Sequence, residues 1–309
     1  MVFFFYGPNS YAARHKLHEM IDTYVQKTGS DMGLERLDGA RVSYSDLETA
    51  LTAAPFLASS RLVIIEGLGA NKIVAEKIEQ LIKSVPQSTV AVFFESEVDQ
   101  RTSYFKTLSH QAKAVKFAPL SSLQLANWLK AQVQSNGGTI DRAALDMLIE
   151  IVGDDQWRLE QEVMKLINYR SDITAETVKT MVVQAPSQTI FDLVEAMTAG
   201  RTKQALVTFR DLLSQKTNEL YVLSMIIWQL RNLLLAKTAG DMSAPELSKA
   251  AGLSPYVAGK AMTKQREFDE QTLKQAFVAA VETDYAIKTG QGKPDQLIER
   301  LIYQLSARD

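Results

Sequence analysis

The 309-residue sequence contains no cysteine. That excludes a disulfide framework, a thiolate metal site and a cysteine nucleophile, and it agrees with a reducing compartment. Histidine is scarce, with three residues. His15 and His18 stand three apart, where a helix can share a face, but neither a thiol nor an HExxH motif accompanies them. No metal site is expected, and both are assigned as solvated residues of a helix's first turns. Neither sign of charge prevails, since the formal net charge is −2. No global basic field advertises nucleic acid, so any such contact has to be local or come through partners.

Long apolar runs are missing too. The run Val2–Tyr6 has no basic flank and is too short for a signal peptide. The most apolar stretch, LYVLSMIIWQLRNLLLAK, carries Gln229, Arg231 and Asn232 at its centre, so it reads as a buried helix rather than a membrane span. No Ser/His/Asp set occurs in a nucleophile context such as G-x-S-x-G. The acidic pairs Asp154-Asp155 and Glu160/Glu162 read as helix-start and surface charges. These absences point to a cytoplasmic protein without a cofactor, a metal or a catalytic residue of its own. Hydrophobic residues at 46% and charged residues at 23% are ordinary globular values, enough for two or three cores at roughly 100–200 residues each.

What is present alternates at first. Apolar, β-rich runs at Val2–Tyr6, Arg61–Ile65, Thr89–Phe94 and Ala114–Phe117 alternate with helical patterns such as Ile73-Val74-Lys77-Ile78-Leu81-Ile82. Near-continuous apolar strands between helices predict a parallel sheet covered on both faces. After about Leu120 strand signals vanish. Ser122 is the expected N-cap of a helix ended by Gly137-Gly138, and Leu145, Leu148, Ile149 and Val152 follow helical spacing. Ile173, Thr174 and Val178 fit a hydrophobic staple around an N-cap. The expected division is an α/β domain over 1–136, a small all-α domain over 137–200 and a longer-helix domain over 201–309.

The opening MVFFFYGPNSYAARHKL has the layout of a P-loop: strand, glycine, loop, helix. A working loop reads G-x-x-x-x-G-K-[ST], whose lysine and hydroxyl hold phosphate and magnesium. Counted from Gly7, those places are taken by Ala12, Ala13 and Arg14. RLVIIEG suits the strand that should end in Asp-Glu, but Ile65 stands at the aspartate position and only Glu66 remains. The segment LSHQAKAVKFAPLSSLQLANWL resembles the clamp-loader stretch that carries a Ser-Arg-Cys motif, but its Ser109-His110-Gln111 has no arginine to serve as a finger. The frame of a nucleotide site is present without the groups that bind the nucleotide.

The ordered segments FFFYGPNSYAARHKL, APFLASSRLVII, IVGDDQWRLEQEVMKLINY, TIFDLVEAMTAGRTKQAL, WQLRNLLLAK, GLSPYVAGKAM and DYAIKTG resemble the delta subunit of the bacterial DNA polymerase III clamp loader over nearly the whole length. The resemblance implies two AAA+-like domains that do not hydrolyse ATP, the second being lid-like, and a helical collar that assembles with the loader's ATPase subunits. It implies binding and opening of the sliding clamp for loading onto primed DNA. It also implies that Phe56 and Leu57 enter an apolar pocket of the clamp, although periodicity alone reads that pair as core, and the more usual order is aliphatic then phenylalanine.

Two other classes stay in play. One is a P-loop NTPase with a variant site. The other is a helix-turn-helix DNA binder built on PELSKAAGLSPYVAGKAMTKQR, with Gly252 in the turn, Ser254 and Pro255 opening the second helix, and Lys260, Lys264 and Arg266 facing phosphates. Ordinary collar helices explain that stretch better. In KTGQGKP, Lys288 and Lys293 are candidate DNA-phosphate contacts, with a plain loop as the simpler reading.

Overall fold

In the first half of the chain, five short strands of mostly aromatic and β-branched residues form one parallel sheet. The computed structural model describes residues 1–55, 59–184 and 186–306, the first two residues after 185 by backbone alone. Its chain divides into two compact units, Met1–Pro119 and Leu120–Asp309.

In the first unit the elements run β1 (Val2–Tyr6), α1 (Ser10–Thr28), β2 (Leu34–Asp38), α2 (Tyr44–Thr52), β3 (Arg61–Glu66), α3 (Lys72–Ala75), α4 (Ile78–Ser84), β4 (Thr89–Glu95), α5 (Ser103–Gln111) and β5 (Lys113–Lys116). The sheet order is β2-β3-β4-β1-β5, every pairing parallel, with Phe4 beside Phe93 and Ala114 and Ile65 beside Phe93. Because strand side chains alternate, two cores result. Phe4, Val63, Ile65, Ala91 and Phe93 pack on one face with Leu47, Leu51 and Leu81. Phe5, Leu62, Ile64, Val92 and Phe94 pack on the other with Ala13, Leu17 and Tyr24. This is the expected parallel sheet buried on both sides.

Some expectations need correcting. β2, LERLD, was not foreseen: it is an edge strand in which three of five residues are charged, and it pairs only with β3. The fifth strand begins at Lys113 rather than Ala114 and is exposed along its length. The helical pattern from Ile73 breaks at Glu76-Lys77 into two short helices, leaving Ile73 exposed.

The second unit runs α6 (Ser122–Ser135), β6 (Thr139–Ile140), α7 (Arg142–Val152), α8 (Gln156–Tyr169), β7 (Asp172–Ile173), α9 (Ala175–Met181), α10 (Pro186–Thr198), α11 (Thr202–Ser214), α12 (Glu219–Lys237), α13 (Ala244–Ala251), α14 (Pro255–Lys264), α15 (Glu270–Lys288) and α16 (Pro294–Ser306). Ser121, not Ser122, caps α6, through a reciprocal box with Gln124. The stretch read as all-α holds two two-residue strands, β6 and β7, paired in parallel at Thr139–Asp172 and Ile140–Ile173. Such bridges are too short to leave a period in the sequence. Thr174 caps α9 as expected, accepting from the Thr177 amide, with Ile173 and Val178 in one cluster.

Leu125, Leu129, Leu148, Leu159, Val163 and Val178 build one core of this unit, which α14 joins through Tyr256. Ile190, Leu193, Phe209, Ile226, Leu230 and Leu301 build another. Among the described residues one helix, α12, is long and apolar enough to cross a bilayer. Here it is packed by α10, α14, α15 and α16, and its Gln229 and Asn232 are buried, as the sequence predicted for a core helix.

Candidate functional site

The degenerate P-loop begins where β1 ends. Gly7 adopts φ +125°, a conformation that favours glycine. A Cβ there would lie 2.4 Å from the Phe117 carbonyl oxygen. The chain after β5 therefore runs against the loop. The Phe117 amide donates to the Tyr6 carbonyl at 2.7 Å, and Asn9 returns its own amide to the Phe117 carbonyl at 3.1 Å. The Asn9 side chain donates to the Ala118 carbonyl at 3.2 Å.

A phosphate cradle needs free backbone amides pointing at the ligand. Here they already have acceptors. Gly7 donates to the Glu95 carbonyl at 3.0 Å, Ser10 to Pro8 at 2.9 Å and Ala13 to Asn9 at 3.2 Å, while Ala12 donates to the Asn9 side chain at 3.0 Å. Asn9 thus acts as the N-cap of α1. Ala13, where the lysine would stand, is fully buried against the sheet.

Arg14 and Glu66 meet. The guanidinium donates to both carboxylate oxygens, at 3.3 and 2.8 Å, and lies over the Phe94 ring, 5.3 Å from its centre. The residue in the place of the magnesium-binding hydroxyl is therefore paired with the one surviving acid of the strand β3. The departure at Arg14 thus neutralises the acid that remains.

Glu95, at the end of β4, was not singled out from the sequence. Its carboxylate is buried and accepts from the Tyr104 hydroxyl at 2.7 Å and the Gly69 amide at 2.8 Å. Burial pushes its carboxyl above the ordinary value, against the lowering effect of those hydrogen bonds. The available signal was an acid closing an apolar strand beside the one that carries Gly7. His15 is half-buried and lies against Tyr11, ring centres 4.2 Å apart at a tilt of 36°, which corrects its reading as solvated, while His18 is exposed. Among the described residues no cluster of His, Asp or Glu has a metal-binding arrangement.

Phe56 and Leu57 lie outside the described residues. Their flanks are tied into the first unit: Arg61 donates to the Ala53 carbonyl at 3.3 Å and pairs with Glu35, and the Tyr24 hydroxyl donates to the Ser60 carbonyl at 2.9 Å.

In the second unit the two helices of the possible helix-turn-helix are α13 and α14, joined at Gly252, with Ser254 capping the second. Two of the three cations singled out there, Lys260 and Lys264, are engaged within the unit. Lys260 donates to Gln188 and sits over the Phe191 ring at 4.5 Å. Burial lowers its ammonium below the usual lysine value. Lys264 is paired with Glu195 and Glu267, and of these three Arg266 alone is exposed. Asp155 caps α8, as expected of a helix-start acid, and Asp154 accepts from Ser254 at 2.7 Å. Glu162, read as a surface charge, is instead mostly buried and paired with Lys165. Lys288 is exposed and paired with Asp284 at 2.6 Å, and Lys293 is exposed in the loop before α16.

The chain is similar to known proteins over its whole length. Residues 3–118 match the family described as DNA polymerase III, delta subunit, and residues 187–305 match the DNA polymerase III delta subunit, C-terminal domain. The DNA polymerase III subunit delta of Bacillus subtilis is 26% identical, across 100% of this chain and 93% of that one. A probable DNA polymerase III subunit delta of Aquifex aeolicus is 21% identical across 73% of this chain and 67% of that one. The structure of the Bacillus subtilis DNA clamp loader delta protein shares the fold, with a TM-score of 0.72 and 23% identity over 99% of this chain and 95% of that one. With matching family models at both ends, and a nucleotide frame closed by its own side chains between β1 and β3, the chain belongs to the family of DNA polymerase III delta subunits.

Proposed function

We propose that this chain is a non-catalytic clamp-loader subunit, which binds the sliding clamp and opens it for loading onto primed DNA. The observation that carries the non-catalytic part is the Arg14–Glu66 ion pair, set beside loop amides that already have acceptors. A nucleotide would have to displace protein hydrogen bonds and find no lysine. ATP chemistry then belongs to neighbouring subunits, and this chain keeps the frame for shape and assembly.

The proposed division is 1–136 for the clamp-binding AAA+-like domain, 137–200 for a lid-like domain and 201–309 for a collar that joins the ATPase subunits. Support for the collar comes from large apolar residues left exposed on its helices, among them Tyr221, Trp228, Val281, Tyr285 and Tyr303. Aromatic residues of this kind are enriched where proteins meet. Lys288 and Lys293 are the proposed contacts to primed DNA, and the cytoplasm is the proposed location.

Phe56 and Leu57 are the proposed clamp anchors. Burying each in an apolar pocket contributes about 1.5–3 kcal/mol, and a central pair of that size acts as a hot spot. Binding favours an opened ring if the bound shape cannot fit the closed one. The test is a pull-down of the clamp, without nucleotide, by wild type and by the Phe56→Ala/Leu57→Ala double variant, with thermal melts of both. Loss of capture at unchanged melting temperature is expected. Capture at wild-type strength, or a much earlier melt, would place the pair in the core and the clamp contact elsewhere.

A further inference from the structure

The second unit is built on two main cores. One belongs to α6–α9, with Leu125, Leu148, Leu159 and Val163 inside it. The other belongs to α10–α12, α15 and α16, around Leu193, Phe209, Ile226 and Leu301. Among the described residues, no buried side chain is common to both.

Helix α14 bridges these two bodies, and its ends are held by different partners. Its first turn enters the α6–α9 core. Tyr256 is buried there, and its hydroxyl donates to the Ile149 carbonyl at 3.3 Å. Ser254, the N-cap of α14, donates to the Asp154 carboxylate at 2.7 Å. Val257 packs on the same core. The rest of the helix is tied to the other body. Ala258 and Ala261 cluster with Ala236 of α12. Lys260 donates to Gln188 of α10 and lies over the Phe191 ring, and Lys264 pairs with Glu195 of α10.

The junction beside Tyr256 is not close-packed. A cavity of about 170 Å³ opens there, the volume of five or six waters at about 30 Å³ each. Its walls come from both bodies: Val152 and Gly153 at the end of α7 on one side, Phe191 of α10 and Trp228 of α12 on the other. Protein interiors hold few voids larger than one water. The two bodies therefore meet here without merging into a single core. The attachment that α14 adds to α6–α9 is one buried ring, one flanking valine and two side-chain hydrogen bonds.

We propose that α14 is a clasp between the two bodies. In the closed state Tyr256 plugs the α6–α9 core. In the open state Tyr256 withdraws and Ser254 releases Asp154, while both cores stay folded. Helix α14 then remains with α10 and α12, because its other contacts lie there. Helices α6–α9 are the part of the chain that joins the first unit to α10–α16, so the clasp decides whether that joint is fixed or free. A packed contact of this kind switches between discrete arrangements rather than bending continuously.

The test measures a distance across the junction in the full-length chain. Because the sequence has no cysteine, Glu176→Cys on α9 and Gln204→Cys on α11, both at exposed positions, give one pair of spin labels for pulsed electron paramagnetic resonance. Hydrogen exchange of the α8 and α12 amides shows in parallel whether each core stays folded. In this labelled background Tyr256→Ala should raise the population at a second distance at least about tenfold. Asp154→Ala, at an exposed position that leaves the Ser254 cap in place, should raise it by about two- to tenfold. Protection of α8 and α12 should persist in both. A variant that loses this protection reports unfolding, and the other then decides. If neither variant raises the second distance with protection intact, Tyr256 is an ordinary core residue and the proposal is overturned.

Discussion

Arg14 grips Glu66 with two hydrogen bonds, at 2.8 and 3.3 Å, across the place where the phosphates and magnesium of a working P-loop would lie. The side chains are 42% and 32% exposed, so the pair stabilises the fold only modestly. Arg14→Ala should lower unfolding free energy by less than about 1 kcal/mol, read from urea denaturation. It should not create nucleotide binding, because the loop amides stay engaged. Titration with a fluorescent ATP analogue and a phosphate-release assay check this. Micromolar binding with turnover, abolished by Glu66→Gln, would restore the NTPase reading.

Gly7→Ala should be far more damaging. The substitution places a methyl group 2.4 Å from the Phe117 carbonyl oxygen at φ +125°. Backbone strain of this kind costs about 1–3 kcal/mol, before any clash is relieved. An unfolding free energy within about 0.5 kcal/mol of wild type would show that the loop and the chain after β5 separate easily.

Glu95 makes stability depend on pH in a defined direction. Burial raises its carboxyl above the ordinary glutamate value of 4.5, so between that value and the higher folded one the native state holds a proton that the unfolded chain has lost. Stability contributed by this group is complete below pH 4.5 and falls as pH rises through the folded value. Glu95→Gln keeps an acceptor for Tyr104 and Gly69 without the charge. Its unfolding free energy should fall less steeply above pH 4.5 than that of wild type. Identical slopes in urea titrations at a series of pH values would remove Glu95 from the account.

Binding of the isolated chain to single-stranded DNA should be weak, without base preference, and strongly salt-dependent at a net charge of −2. Lys288→Glu with Lys293→Glu should weaken it further and flatten the plot of log affinity against log salt by about 0.7 per lost contact. Arg266→Glu should leave it unchanged. Sequence-selective binding destroyed by Arg266→Glu would revive the helix-turn-helix reading.

The parallel sheet was readable because Val2–Tyr6, Arg61–Ile65 and Thr89–Phe94 are buried on both faces, and burial on both faces writes a continuous apolar run. β2 was not readable, since three of its five residues are charged and they follow no strand period. β6 and β7 left none, being two residues each. In the site, the loss of the P-loop lysine was visible as Ala13. The pairing of Arg14 with Glu66 was not, because 52 residues separate them and only the parallel sheet sets α1 beside the end of β3. Glu95 escaped notice because it is a polar residue that closes an apolar run, and only burial distinguishes it from a solvated one.

The position of β1 in the sheet also sets an order of events during synthesis. Val2 pairs with Ala91 on one side, and Phe3 pairs with Lys113 on the other. At about 5–20 residues per second, the strand VFFFY leaves the ribosome on the order of 5–20 s before its first partner exists. Through that interval three consecutive phenylalanines have no sheet to enter. The first unit cannot fold progressively from its start, and its sheet closes only when β4 arrives between β3 and the waiting strand.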